Sequence, residues 1–273
     1  MRIEFFGVRG TFPSATKERT SYGGHTLCTR VTTKGGADIL IDAGTGIRPV
    51  GDKLLAARRP GRPLRLSLLF THFHLDHIVG LPFFNPLYDD NSAIDFYSWR
   101  EPDDLREILG RFTSSPFYPV HFEKTPALKR FHGIGADGLT IDTVRITSCP
   151  LHHPQGSVAY RLIEGSEAFV LATDTEHPAQ GMDERLEEFC RKSRVLVYDA
   201  MFTPEEYATG HVGWGHSTWR EGVRLAQAAG VGRLLLSHLN PDHSDRTLDK
   251  IARRARREFR ATACASEGLT IEL

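Results

Sequence analysis

Leu66-Ser67-Leu68-Leu69-Phe70-Thr71-His72-Phe73-His74-Leu75-Asp76-His77 is the stretch whose reading decides the fold of this chain. Leu66–Phe70 is a short apolar run of strand length, which is how a strand buried on both faces reads. The polar groups follow at once, where that strand emerges into a loop. His72 and His74 stand two apart and point the same way if the extended backbone continues. Asp76 and His77 come from the turn that enters the next helix. Imidazole and carboxylate donors suit zinc and related transition ions. One tetrahedral ion does not need so many donors from one segment, so two adjacent ions are expected. A lone histidine here would be ordinary loop polarity; His-x-His-x-Asp-His directly after a buried strand is not.

A binuclear site needs further donors from distant segments, and three stand near the ends of strand-like runs. His152-His153 follows Ile141–Ile146, Asp174 follows Phe169–Thr173, and His238 follows Leu234–Ser237. A carboxylate such as Asp174 can bridge cations about 3.5–4 Å apart, the separation that two-metal hydrolases use.

Working outward, strand-like runs alternate with helical ones: strands over Ile3–Phe6, Leu27–Thr32, Asp38–Ile41, Ile94–Tyr97, Leu139–Ile146, Ser157–Ile163, Ala168–Leu171, Val195–Tyr198, Leu234–Leu236 and Leu269–Leu273, and helices over Ile47–Arg58, Asp103–Gly110, Asp183–Lys192, Thr218–Ala229 and Asp245–Phe259. That alternation predicts an α/β design of mixed sheets with helices outside. The stretch 82–138 is rich in Pro, Phe and Tyr, fits neither period, and is expected to be an insertion or lid on one domain spanning 1–273. Its aromatics Phe83, Phe84, Tyr88, Phe117 and Tyr118 read first as core or lid packing, with stacking on a base as the functional alternative.

Lys+Arg and Asp+Glu are both 34, so no net positive field draws in a long nucleic acid. The basic run Arg253, Arg254, Arg256, Arg257 and Arg260 reads as a solvated helix face. Four cysteines without CxxC spacing give neither a cysteine-based zinc site nor a disulfide framework. No signal core follows the first residues and no window reaches the roughly 18 apolar residues of a membrane span. A cytoplasmic location, with no membrane partner, is expected by default.

With these residues in view, the sequence resembles the metallo-β-lactamase superfamily from Gly7-Val8-Arg9-Gly10 to the last strand. Asp42-Ala43-Gly44-Thr45-Gly46 resembles the family's Asp-containing glycine turn, and His72 to His77 matches its signature. The resemblance implies a four-layer αββα sandwich with the site at one edge of the paired sheets. It implies one metal held by His72, His74, His153 and Asp174, and another by Asp76, His77, Asp174 and His238. The run His153-Pro154-Gln155-Gly156-Ser157-Val158-Ala159-Tyr160 resembles the pattern in which the ligand histidine precedes a strand carrying a tyrosine, which favours His153 over His152.

Gly215-His216-Ser217-Thr218 is similar to the His-Ser-Thr element of the RNase Z branch and its small phosphodiesterase relatives. It gives His216 the part of proton donor to the leaving oxygen, a step suited to an imidazole, and makes Ser217 and Thr218 candidate substrate-binding residues. A helix-start histidine bonded to the backbone is the structural alternative for His216. The opening Gly7–Pro13, Tyr22–Thr26, Tyr198–Phe202 and His238–Asp245 resemble the cyclic-nucleotide phosphodiesterase-like members. His25 stands where Asn is the pattern, and Leu239-Asn240 where Asp-Pro is, departures that bear on substrate choice.

The expected activity is therefore binuclear, metal-dependent hydrolysis of a cyclic nucleotide or similar small phosphodiester. Zinc is the default pair of ions, with manganese or iron as alternatives, Asp76 both ligates and helps orient the nucleophile, and the resemblance suggests a homodimer. The rivals are a tRNA 3′-end endonuclease, a lactone, thioester or β-lactam hydrolase on the same scaffold, and a catalytically silent metal-binding sensor. The endonuclease carries a long arm to hold tRNA, for which the short span between His153 and Asp174 leaves no room.

Overall fold

The computed structural model describes every residue from Met1 to Leu273. Strands β1 (Arg2–Gly7), β2 (Cys28–Thr32) and β3 (Asp38–Ile41) are followed by helix α1 (Ile47–Ala57), β4 (Leu64–Leu69) and the one-turn helix α2 (Leu75–Ile78). Then come β5 (Ser92–Ser98), α3 (Pro102–Phe112) and β6 (Leu128–Gly133). The second half runs through β7 (Leu139–Ile141), β8 (Val144–Leu151), β9 (Ser157–Glu164), β10 (Glu167–Ala172), α4 (Glu184–Cys190) and β11 (Val195–Asp199). It continues with α5 (Pro204–Ala208), α6 (Trp219–Ala228), β12 (Leu234–Ser237), α7 (Asp245–Glu258) and β13 (Thr262–Cys264), and β14 (Thr270–Glu272) closes the chain.

Two seven-stranded sheets result, ordered β14-β1-β2-β3-β4-β5-β6 and β13-β12-β11-β10-β9-β8-β7. Period-two alternation explains how they stack. Ile39, Ile41 and Leu69 face the second sheet and join one apolar core with Leu162, Leu171 and Leu235. The intervening Leu40, Leu68 and Phe70 face outward, where they pack with Ile47 and Val50 of α1 and Leu105 and Leu109 of α3. On the far side of the second sheet, Trp219 and Val223 of α6 and Leu248 and Ile251 of α7 are buried in the first of these cores. The layers are therefore helix, sheet, sheet, helix: the αββα sandwich.

Strands β3 to β6 are parallel, and so are β10 to β13. Parallel strands end together, and their C-terminal ends are where open α/β sheets leave a crevice for ligands. Asp42, Thr71–His77, Asp174, Asp199 and His238 all lie at such ends. Asp42 and His238, which directly follow β3 and β12, and Asp174, two residues past β10, take left-handed backbone at φ 63°, 53° and 59°. Asp and His tolerate that region better than most residues, and strain of this kind gathers at functional sites.

Several elements differ from the sequence reading. Leu139–Ile146 is not one strand but the start of a hairpin, because Asp142 turns the chain at φ 53° between β7 and β8. Residues 82–138, expected as an insertion or lid, supply β5 and β6 to the first sheet and α3 to its outer layer. The composition hid β6: Leu128-Lys129-Arg130-Phe131-His132-Gly133 is an edge strand whose Arg130 and His132 both bond Asp95 of β5, so it lacks apolar alternation. β13 and α5 are too short to leave a periodic signal. The four cysteines are free and buried, in keeping with their reading as small apolar residues. Of the basic run, Arg254 pairs with Glu205 at 2.8 Å while Arg253 and Arg257 are exposed. No helix is long and apolar enough to cross a membrane.

Candidate metal centre

The loop after β4, the bend after β8 and the turns after β10 and β12 bring His72, His74, Asp76, His77, His153, Asp174 and His238 into one cluster. Donor atoms of His72, His74 and His153 lie within 4.8 Å of one another, as do those of His72, His77 and Asp174, and those of Asp76, His77 and His238. Asp174 lies at the centre. Its Oδ1 is 3.0 Å from His238 Nε2 and 3.8 Å from both His72 Nε2 and His153 Nε2, while its Oδ2 is 3.2 Å from His77 Nε2. Asp76 Oδ2 is 3.2 Å from His238 Nε2 and also accepts the backbone N–H of Thr11 at 2.7 Å. His152 is outside the cluster, exposed, 3.4 Å from Asp183.

The surrounding bonds fix which imidazole atoms face inward. His77 Nδ1 donates to Asp42 Oδ2 at 2.9 Å, and Asp42 also accepts the backbone N–H of Thr71 at 2.8 Å. His153 Nδ1 donates to the Gly215 carbonyl at 2.8 Å, and His74 Nε2 donates to Gln155 Oε1 at 2.7 Å. Each ring therefore directs one N–H to the periphery and turns its other nitrogen to the centre. His153 Nε2 and His74 Nδ1 then meet at 3.0 Å, lone pair to lone pair. His72 Nε2, His77 Nε2 and Asp174 Oδ2 are buried with no hydrogen-bond partner. Such an arrangement is costly by itself, since buried polar atoms are normally satisfied. A cation between these atoms satisfies all of them, with outer bonds orienting the inner donors as metal sites require. The donor set fits divalent metal ions.

Burial and charge act differently on the individual groups of the cluster. Burial holds His72 well below the ordinary imidazole range, in the neutral form that binds metals. Burial also works against the charge on Asp174, but the charges of His238 and His77 outweigh it and keep the carboxyl well below its usual range, while the neighbouring carboxylates raise those two imidazoles above theirs despite burial; a divalent cation binds in place of those protons.

His216 sits beside this cluster. Its ring stacks on His238 at 4.7 Å with 20° between planes and lies 5.2 Å from His153. Its Nδ1 donates to Asp199 Oδ2 at 2.9 Å, which leaves Nε2 for the cleft that His216 lines. Asp199, fully buried, also accepts the backbone N–H groups of Asp174 and Ser217 at 3.0 Å and of Met201 at 3.1 Å. Asp199 and Asp42 bond residues of the cluster directly, and sequence reasoning did not place them at the site. The signal available was position, an aspartate at the end of a buried strand in each case.

Ser217 and Thr218, the candidate substrate-binding residues, do not line the cleft. Ser217 is buried, its hydroxyl bonded by Tyr198 at 3.1 Å and His177 at 2.9 Å, and Thr218 caps α6 by accepting from the Glu221 backbone. The cleft over the cluster holds about 620 Å³ and is walled by Leu75, Met201, Phe202, His211 and Trp214, with Thr11 beside them. None of Phe83, Phe84, Tyr88, Phe117 and Tyr118 lines it. Phe84 is fully buried, while Phe83 and Tyr118 pack on each other at 5.7 Å away from it.

A family model described as the beta-lactamase superfamily domain matches residues 37–239. The chain belongs to this superfamily, and it is a metal-dependent hydrolase with the metallo-β-lactamase fold. Among its relatives is a ribonuclease Z of Archaeoglobus fulgidus, 23% identical over 100% of this chain and 97% of that protein. Another is the protein named Probable metallo-hydrolase YhfI of Bacillus subtilis, 24% identical over 88% of this chain and 87% of its own length. The crystal structure of YhfI superposes with a TM-score of 0.74 at 20% identity, covering 100% and 99% of the two chains. A diphosphatase of the PhnP family superposes at 0.71 and 17% identity, covering 100% and 97%.

Proposed function

We propose that this protein is a binuclear phosphodiesterase that hydrolyses a cyclic nucleotide or a similarly small phosphodiester. His72, His74, His153 and Asp174 would hold one divalent cation and Asp76, His77, Asp174 and His238 the other. Zinc suits these donors, and manganese or iron are the alternatives. When bound, such a pair supplies Lewis acidity toward a phosphoryl oxygen and a more acidic water.

The observation that carries the reading is the Asp199–His216 pair beside the cluster. Asp199 fixes the tautomer in which His216 keeps Nε2 at the cleft, and stabilises the ring when it is protonated. A histidine so held can give a proton to the departing alkoxide of an unactivated phosphodiester. Asp76 receives the Thr11 N–H, so one carboxylate oxygen is anchored while the group faces the cleft.

The ribonuclease Z relatives favour a second reading, action on RNA. Against it, the chain between His153 and Asp174 is the tight hairpin β9–β10, turning at Gly165-Ser166, with no arm to hold a large RNA.

The test is a substrate panel with added zinc or manganese: 3′,5′- and 2′,3′-cyclic mononucleotides, cyclic dinucleotides, a bis-aryl phosphate, a precursor tRNA, a lactone and a cephalosporin. Cleavage of a small phosphodiester is expected. Turnover of the lactone or cephalosporin alone would overturn the proposal. Within the panel, His216→Ala should lose far more on a cyclic nucleotide than on the aryl ester, whose good leaving group needs little protonation; equal losses would remove the acid role.

A further inference from the structure

The cleft wall carries a side chain that the chemistry at the cluster does not use. Trp214 is 59% exposed, on the loop between α5 and His216, and it lines the cleft. Its ring stands nearly perpendicular to those of His211 and Phe202, at 4.8 and 6.5 Å. An indole left this open to water in a small-ligand cleft forgoes much of the burial that large aromatics usually obtain.

The loop under it is not slack. Glu176 Oε1 accepts the backbone N–H of Gly213 at 2.6 Å, and Oε2 that of Gly215 at 2.8 Å. One carboxylate thus clamps the amides on both sides of Trp214, and the hydroxyl of Tyr207 braces Oε1 in turn. Gly215 bears directly on the cluster: a Cβ there would fall 2.5 Å from His153 Nδ1, and its carbonyl accepts that nitrogen's proton. The indole is therefore held in a fixed position relative to His153 and His216.

We propose that Trp214 is the platform on which a flat heteroaromatic part of the substrate, a nucleobase, stacks, and that Glu176 is the residue that positions it. This deepens the phosphodiesterase reading and rests on it for the identity of the flat group. The same cleft offers polar edges, since Asn240 and Asp242 line it and the Asn240 side-chain nitrogen bonds no protein group. An aromatic face with polar groups near it suits a heteroaromatic ring better than an acyl chain. The cleft, at about 620 Å³, is of a size for a small ligand.

The test compares adenosine 5′-monophosphate with ribose 5-phosphate, binding measured by calorimetry on the metal-loaded protein. Wild type should bind the base-bearing compound about 10- to 100-fold tighter, the range that base–aromatic stacking supplies. Trp214→Ala should erase that preference and leave ribose 5-phosphate affinity unchanged, while Trp214→Phe should keep most of it. Glu176→Ala should lose the preference too, with metal content intact, and Glu176→Gln, which keeps one acceptor, should retain part. No preference in wild type, an undiminished preference in Trp214→Ala, or a parallel loss of ribose 5-phosphate binding would each overturn the proposal. Because binding needs no turnover, the two readings separate. Base-dependent binding through Trp214 without cleavage of any cyclic nucleotide would sink only the phosphodiesterase reading. Cleavage without base preference would sink only the platform.

Discussion

His216 Nδ1 donates to Asp199 Oδ2 across 2.9 Å, and the same oxygen accepts the backbone N–H of Asp174 at 3.0 Å. One buried carboxylate thus orients the imidazole at the cleft and anchors the backbone that carries the cluster's central aspartate. Asp199→Asn replaces an acceptor by a group that can also donate, and the ring loses its anionic partner. We expect kcat to fall about 10- to 100-fold, as when outer partners of a metal site are changed. The loss should be larger on poor leaving groups, which steady-state kinetics over a series of aryl phosphodiesters will reveal; a loss independent of leaving group would count against the acid.

Asp42 acts on His77 in a comparable way. With its N–H directed at Asp42, His77 offers Nε2 to the centre. In Asp42→Asn one of the donors from Thr71 or His77 meets an amide N–H2 instead of an oxygen. Metal affinity, measured by competition with a chromogenic chelator, should drop about 10- to 100-fold. Unchanged affinity would show that His77 needs no such orientation.

Gly10 leaves room for a ligand. A Cβ at this position would lie 2.1 Å from His238 Cε1 and 2.2 Å from its Nδ1. Gly10→Ala must displace the His238 ring, so metal analysis should find roughly one equivalent bound in place of the two that the proposed binuclear site calls for. Full occupancy in the variant would mean that His238 is dispensable as a donor.

Removing the metals should destabilise the fold. His72 Nε2, His77 Nε2 and Asp174 Oδ2 have no protein partner, so stripping leaves them buried and unsatisfied. A ligand present at about 1,000 times its dissociation constant adds about 4 kcal/mol. For a chain of this length that is a fall in melting temperature of roughly 10 °C on chelation, reversed by zinc or manganese. An unchanged melting temperature would mean that no metal had been bound.

Glu4 provides a pH test away from the site. Burial raises its pKa, but the hydrogen bond from Lys53 at 2.6 Å and the charges of Arg30 and Arg2 outweigh burial and hold it below the ordinary 4.5. A depressed folded-state value contributes stability that is fully present above about pH 4.5 and fades as pH falls through the folded value. Glu4→Gln should therefore cost about 1–2 kcal/mol at pH 7, read from urea unfolding. The gap to wild type should close as the medium is acidified below pH 4.5. A gap that persists in acid would point to packing instead of charge.

Much of this was legible along the chain because the signals are local. The run Leu66–Phe70 could only be a buried strand, and the donors of His72, His74, Asp76 and His77 follow it within a few residues, so strand and ligand loop were fixed by short-range chemistry. Asp174, His153 and His238 were readable for the same reason, as polar residues that end apolar runs. Only the tertiary structure could decide which distant groups meet. It brought Asp199 and Asp42 against His216 and His77, turned Ser217 and Thr218 into buried supports, built residues 82–138 into the first sheet, and put Trp214, which sequence reasoning had not singled out, on the cleft wall. These outcomes depend on hydrogen bonds and ring contacts between segments many residues apart, and spacing in a linear sequence carries no record of such contacts.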